Sequence, residues 1–67
     1  MDWLIIGEKI KRWRAFKGIK QEVFAKEIGI SRVMLSRYEN GKTPISLQQI
    51  ELIAERLGIK TEDIIKI

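Results

Sequence analysis

Apolar side chains recur along this chain at intervals of three and four residues, which is the spacing of one face of an α-helix. The first such stripe consists of Trp3, Ile6, Ile10 and Trp13. No stretch alternates apolar and polar residues with the period of two that marks a half-buried strand. The pattern predicts an all-α fold with five helices, near residues 4–17, 21–28, 32–40, 47–57 and 62–66.

The predicted helices have recognisable ends. Gly-Ile occurs at 18–19, 29–30 and 58–59, each time after a helical pattern. Glycine in the left-handed conformation ends a helix, and the apolar residue after it folds back on the last turn. Side chains suited to N-caps precede four of the helices, namely Asp2, Ser31, Ser46 (with Gln49 as a capping box) and Thr61. Lys20 is a poorer cap and is expected to cost the second helix about 1 kcal/mol.

Residues 21–40 are the unit around which the rest of the chain is arranged. An amphipathic helix surrounds the small Ala25, the chain turns at Gly29, and Ser31 caps a second amphipathic helix. This order describes a helix-turn-helix. The apolar residues of the unit are Val23, Phe24, Ile28, Ile30, Leu35 and Tyr38. The second helix leaves outside a donor-rich face without any acid, made of Arg32, Val33, Ser36 and Arg37.

Composition narrows the possible functions. The 67 residues are 45% hydrophobic and 33% charged, which is typical of one globular domain, here residues 1–67. Cysteine and histidine are absent, so thiol nucleophiles, zinc-finger ligand sets and imidazole catalysis are excluded. We expect no catalytic residue, metal or cofactor. The longest apolar run, Trp3–Ile6, is too short to span a membrane, and no signal-peptide pattern is present, so we expect a cytoplasmic, nucleoid-associated protein.

The net charge of +4 is unevenly distributed. Residues 1–43 hold ten Lys or Arg against five acids, whereas residues 44–67 hold three against four. A basic amino-terminal part indicates a polyanionic partner, with nucleic acid as the first candidate. On charge alone, a solvated charged surface explains the same distribution equally well.

Four segments of the chain match a known family of proteins. They are IGEKIKRWR at 6–14, KGIKQEVFAKEIGIS at 17–31, LSRYENGK at 35–42 and IELIAERLGI at 50–59. Together they resemble the Cro and lambda-repressor-like, or XRE-type, helix-turn-helix domains of bacteria and phages. The resemblance covers about residues 6–65. It implies a five-helix lambda-repressor-like DNA-binding domain in which helices 2 and 3 form the helix-turn-helix.

The resemblance also implies roles for individual residues. The second helix of such a unit lies in the major groove, which implies base contacts by Arg32, Val33 and Arg37, with Ser36 beside them. Arginine can bind guanine O6 and N7 with two hydrogen bonds, and valine can contact a thymine methyl group. A phosphate contact or a solvated position is the alternative for each arginine. Phosphate contacts are implied for Lys20, Gln21, Ser31, Asn40 and Lys42.

Two further features concern how the helix-turn-helix is held against helix 1 and how two copies of the chain form a dimer. The resemblance implies an ion pair between Arg14 and Glu39 that joins helices 1 and 3. We interpret Trp13 as a core residue, and Met34 as a core residue in preference to a thymine contact. The chain has apolar ends, Trp3, Leu4 and Ile5 at one and Ile64, Ile65 and Ile67 at the other. We expect them to pack partly inside and partly to form a homodimer interface.

The leading hypothesis is a sequence-specific transcriptional regulator, acting as a homodimeric repressor on a pseudo-palindromic operator. Activation, as in controller proteins of restriction–modification systems, and antitoxin-type autoregulation are other uses of the same domain. The alternative class is a protein-interaction module whose apolar ends bind a partner such as a toxin. Double-stranded DNA is the expected partner, with no membrane or small-molecule ligand, and an enzyme is the weakest alternative.

Overall fold

The computed structural model describes residues 1–66, which form five α-helices and no strand. The helices are α1 (Trp3–Phe16), α2 (Gln21–Glu27), α3 (Arg32–Glu39), α4 (Leu47–Leu57) and α5 (Glu62–Ile65). The predicted all-α, five-helix class is confirmed, and each predicted helix end lies within one residue of the observed one. No helix in residues 1–66 has the length and apolar character needed to cross a membrane. Ile67, predicted to belong to the apolar tail, lies outside the described residues.

Side-chain caps begin three of the helices as predicted. The Asp2 carboxylate accepts hydrogen bonds from two backbone N–H groups of α1, at 3.1 and 3.2 Å. The hydroxyl groups of Ser31 and Ser46 each accept one from the third residue beyond, at 3.0 and 3.1 Å. Lys20 makes no side-chain cap, so the start of α2 lacks this stabilisation.

The prediction that Thr61 caps α5 is wrong. Thr61 already has helical dihedral angles (φ −53°, ψ −41°), whereas a capping residue is extended. The turn is held instead by Asp63, whose carboxylate accepts a hydrogen bond from the backbone N–H of Lys60 at 2.9 Å. The capping box is also only half formed, because the Gln49 side chain points to the Ile28 carbonyl at 3.5 Å.

The turn between α2 and α3 requires a glycine. Gly29 has φ +74°, which places it in the left-handed region. The backbone N–H of Ile30 then donates to the Ala25 carbonyl at 3.0 Å, as in a Schellman motif. The same bond follows the glycines that end α1 and α4, so the predicted Gly-Ile helix ends are confirmed.

The core consists of twelve buried apolar side chains contributed by all five helices and the α3–α4 loop. They are Ile6, Ile10, Phe24, Ala25, Ile28, Leu35, Ile45, Ile50, Ile53, Ala54, Leu57 and Ile64. Several apolar residues of the helices lie partly or wholly outside this core, among them Met34 and Trp13, which were predicted to belong to it. Leu47 is 56% exposed because it is the first residue of α4, and Met34 is 37% exposed because it lies at the flank of α3. Val23 is also exposed, and Trp13 is only half-buried against the core.

Helices α1 and α3 approach each other closely where α1 has no side chain. A Cβ atom on Gly7 would lie 2.2 Å from the Tyr38 carbonyl oxygen and 2.9 Å from that of Glu39. A Cβ atom on Gly41, just after α3, would lie 2.6 Å from the Cα atom of Leu4. These contacts bring the last turn of α3 directly against the first half of α1, and so fix the orientation of the helix-turn-helix.

Candidate nucleic-acid interface

The outer face of α3 is set by what α3 buries. Leu35 is fully buried, and the cap on Ser31 fixes where the helix begins. The opposite residues consequently point outward: Arg32, Val33 and Arg37 are exposed and Ser36 is partly exposed. All four line one shallow concave surface together with Gln21 from the start of α2. The structure therefore brings the predicted base-contacting residues together.

An ion pair lies behind this surface. Glu39 is 2% exposed and is the one buried charged residue among residues 1–66. Arg14 Nε donates to Glu39 Oε2 at 2.6 Å, and Arg14 Nη2 donates to Oε1 at 3.1 Å. Arg14 Nη1 donates to the Ile19 carbonyl at 2.7 Å, which ties the α1–α2 turn to the same group. The ion pair implied by the family resemblance is thus present and joins α1 to α3.

Gln21 connects the ion pair to the outer face. Its Nε2 donates to Glu39 Oε1 at 2.9 Å, and its Oε1 accepts a hydrogen bond from Arg32 Nε at 3.2 Å. Arg32 is therefore held through Nε, and its two terminal amino groups make no hydrogen bond within residues 1–66. Those amino groups are the ones that a guanidinium uses for a bidentate contact with guanine. The second amide hydrogen of Gln21 makes no hydrogen bond within residues 1–66.

Arg37 is held more loosely than Arg32. Its Nη2 lies 3.5 Å from the Lys42 carbonyl oxygen, which is the outer limit for a hydrogen bond. Arg37 is exposed, so its guanidinium can rearrange toward a ligand at low cost.

Asn40 orients the Ser36 hydroxyl group. Asn40 Nδ2 donates to the Ser36 carbonyl oxygen at 2.8 Å and to its Oγ at 3.3 Å. Since Oγ accepts a hydrogen bond from within the protein, the hydroxyl proton is free to be donated outward. The Asn40 amide, assigned by the resemblance to a phosphate, is thus engaged in part with Ser36.

The other residues implied to bind phosphate lie at the edges of the unit. Lys20 and Lys42 are exposed before α2 and after α3, and neither forms an ion pair within the described residues. Ser31 is exposed, and its hydroxyl oxygen caps α3. The assembled surface offers hydrogen-bond donors and positive charge. The described residues contain no cluster of His, Cys, Asp or Glu suited to a metal ion.

Two supporting contacts were not predicted from the sequence, the hydrogen bond between Gln21 and Arg32 and those from Asn40 to Ser36. Asn40 and Ser36 are four residues apart, and this spacing places side chains on one helix face. That signal was available in the sequence. Gln21 and Arg32 lie on different helices, and no local pattern links them.

The fold and this surface define a class of protein, the helix-turn-helix DNA-binding domains. The chain belongs to the HTH_3 helix-turn-helix family, whose family model matches residues 10–64. The resemblance to the XRE-type domains is therefore confirmed, and this is a family of DNA-binding transcriptional regulators.

Several individual proteins are similar to this chain. Antitoxin PezA of Streptococcus pneumoniae is 39% identical over 61 residues, which are 91% of this chain but only 39% of PezA. The uncharacterized HTH-type transcriptional regulator MJ0272 of Methanocaldococcus jannaschii is 41% identical over 84% of this chain and 85% of its own length. The crystal structure of the restriction-modification controller protein C.AhdI from Aeromonas hydrophila superposes with a TM-score of 0.88 at 28% identity, covering 94% of this chain and 96% of that one.

Proposed function

We propose that residues 1–67 act as a single sequence-specific DNA-binding domain that represses transcription by occupying an operator. The observation that carries the proposal is the chain of contacts from Arg14 through Glu39 and Gln21 to Arg32. This chain holds one guanidinium in place on a face without acids, so little side-chain freedom is lost when it binds a base. Pre-organisation of this kind raises affinity by lowering the cost of binding.

In this proposal, α3 lies in the major groove. Arg32 and Arg37 each bind a guanine, Val33 contacts a thymine methyl group, and Ser36 donates its hydroxyl proton to a base acceptor. The backbone is held by Lys20, Gln21, Ser31, Asn40 and Lys42.

The functional unit of the proposal is a homodimer on a pseudo-palindromic operator. One α3 helix reaches few base pairs, and two copies related by a two-fold axis double the number of contacts. Exposed apolar side chains near the amino terminus, Met1 and Leu4, and half-buried Ile65 of α5 are the surfaces assigned to this interface. The likeness to C.AhdI and to the control protein C.BamHI of Bacillus amyloliquefaciens, 33% identical over 92% of this chain, supports a regulatory role.

Antitoxin-type autoregulation is a second candidate. It is favoured by the 39% identity to PezA, although this chain spans 39% of that protein. In either case the chain acts by binding in the cytoplasm, at the nucleoid, and not by catalysis.

Selection of bound duplexes from a random pool tests the proposal. We expect a two-fold symmetric motif whose half-sites lie about one helical turn apart. Binding to random duplex should also weaken steeply as log salt rises, because phosphate contacts release counterions. No binding to any duplex at low salt would refute DNA binding itself, and an asymmetric single motif would refute the dimer.

Two variants separate base reading from backbone positioning. Arg37→Ala should reduce discrimination at one guanine by about 1–3 kcal/mol and leave affinity for random duplex nearly unchanged. Lys42→Ala should weaken specific and random duplexes equally and lower the salt slope by about one. Lys60→Ala, an exposed lysine outside the helix-turn-helix, is the control. Equal losses on specific and random DNA for Arg37→Ala would contradict its assigned role.

A further inference from the structure

The side of α1 that faces away from α3 carries two aromatic rings, the exposed Phe16 and the half-buried Trp13. Phe16 is 78% exposed and meets Trp13 edge to face, with ring centroids 5.9 Å apart and planes at 87°. These rings form the apolar part of a concave surface between α1 and α5, with a volume of about 440 Å³. We call this surface the Trp13–Phe16 groove, and it is lined by Lys9, Arg12, Trp13, Phe16 and Asp63.

The groove is unlike an isolated apolar side chain on a surface. Single exposed apolar residues are common in folded proteins, whereas ligand sites are typically concave and combine aromatic side chains with a few polar groups. Aromatic side chains contribute large contact areas at interfaces and lose little conformational freedom on binding. The two rings are therefore suited to accept an apolar anchor from a partner.

Positive charge surrounds the rings. Arg12 is exposed and makes no ion pair or hydrogen bond in the described part of the chain. Lys17 Nζ lies 6.0 Å from the centre of the Trp13 ring. The one acid in the groove, Asp63, already accepts a hydrogen bond from the backbone N–H of Lys60 as a helix cap. The charge complementary to this surface is negative.

Lys9 has a different position from the other cations. Its ammonium group donates to the Lys66 carbonyl oxygen, which joins α1 to the residue after α5. This contact fixes one wall of the groove, so the groove is formed before any partner binds.

The groove lies on the opposite side of α1 from the helix-turn-helix. Arg14 points toward α3, where it pairs with Glu39. At 100° per residue, Arg12 and Phe16 each lie about 160° around the helix from Arg14. A molecule bound in the groove would therefore leave the outer face of α3 accessible.

We propose that the Trp13–Phe16 groove binds a short acidic segment of another protein, with an apolar side chain against the rings and carboxylates on Arg12 and Lys17. A stable dimer interface uses about 20–30 residues from each partner, which is far more than the five that line this groove. An amphipathic helix needs only a few apolar anchors in a groove of this kind. The proposal stands independently of the DNA-binding proposal, because it uses the other side of α1.

Single-stranded nucleic acid is disfavoured as the occupant. Bases bind to such surfaces by stacking on exposed ring faces. In the Trp13–Phe16 pair the planes are nearly perpendicular, so the rings present no continuous platform for successive bases.

The test follows Trp13 fluorescence in the full chain carrying Trp3→Phe, because Trp3 is the other of its two tryptophans. The probes are helix-forming peptides of about twelve residues with leucines on one face, flanked either by glutamates or by lysines, and an oligo-dT single strand. We expect saturable binding of the glutamate peptide with Kd below about 1 mM, and at least tenfold weaker binding of the lysine peptide.

Charge reversal sharpens the test. Arg12→Glu should weaken the glutamate peptide at least tenfold and strengthen the lysine peptide, a reversal that a merely structural defect would not produce. Phe16→Ala should weaken both peptides. Val23→Ala, which removes an exposed apolar side chain on α2, is the matched control and should change neither.

Three outcomes would overturn the proposal. Equal affinity for the two peptides would show that charge does not select the partner, and tighter binding of oligo-dT would assign the groove to nucleic acid. If Trp13 fluorescence changes with protein concentration in the absence of peptide, and Phe16→Ala abolishes the change, a second copy of the chain occupies the groove.

Discussion

The two sides of α1 differ in how many of their polar and apolar groups are buried or bonded to other parts of the chain. On the side facing α3, Gly7 allows backbone contact with α3, and Arg14 satisfies its guanidinium with Glu39 and the Ile19 carbonyl. On the other side, Phe16 is largely exposed and Arg12 has no partner in residues 1–66. Helix α1 is therefore a structural support on one side, while the other side leaves Phe16 and Arg12 open to solvent.

The contacts on the α3-facing side of α1 continue, through a chain of hydrogen bonds, to the outer face of α3. Glu39 is shared between Arg14 and Gln21, and Gln21 in turn contacts Arg32. A buried ion pair is weak support for stability by itself, because desolvation offsets the attraction between the charges. Here it also determines the position of Arg32, so its effect on DNA recognition should exceed its net contribution to folding.

The largest expected effect on stability comes from removing one partner of the Arg14–Glu39 ion pair, which leaves the other charge without a counter-charge. Glu39→Leu should lower the free energy of unfolding by about 3 kcal/mol, because Arg14 would remain partly buried without a counter-charge. The double variant Arg14→Leu/Glu39→Leu should lose less than Glu39→Leu alone. Urea denaturation of Arg14→Leu, Glu39→Leu and the double variant measures the three free energies of unfolding. A double variant whose loss equals the sum of the two single losses would show that the groups are not coupled.

The second largest effect is expected at Gly7, where a Gly→Ala substitution should destabilise the fold instead of stabilising it. In an exposed helix interior, Gly→Ala stabilises by about 1 kcal/mol. Gly7→Ala should instead destabilise by about 1–3 kcal/mol, because the added methyl group would overlap the Tyr38 carbonyl oxygen. The control is Ala15→Gly on an exposed position of the same helix, which should cost about 0.5–1 kcal/mol. Thermal unfolding distinguishes the two, and a Gly7→Ala protein as stable as the parent would disprove the close crossing.

The smallest effect should come from the outward side of α1. Phe16→Ser is expected to change the free energy of unfolding by no more than about 0.5 kcal/mol, because the ring contributes little to the core. Ile10→Ala, a fully buried position on the same helix, should cost about 2–5 kcal/mol in the same denaturation experiment. A loss of more than 1 kcal/mol for Phe16→Ser would make the aromatic pair a structural element.

Local sequence determined the helices, their order and most of their ends. Asp2, Ser31 and Ser46 cap helices through side chains that reach only two or three residues onward, and Gly29 needs only its own backbone freedom. The interactions that form these caps and turns join residues close together in the chain. The spacing of residues was therefore sufficient to predict them. The expectation failed at Thr61, which already has helical dihedral angles, while the Asp63 carboxylate accepts from the backbone N–H of the preceding Lys60.

The tertiary structure alone decided which outward-facing side chains contact a neighbouring helix and which are left without a contact. The donor residues of α3 could be named from their spacing, but the contact of Gln21 with Arg32 depends on how α2 crosses α3. The close approach at Gly7 and the groove beside Phe16 likewise depend on elements far apart in sequence. Periodicity assigns a residue to a helix face, whereas the crossing of two helices decides what that face meets.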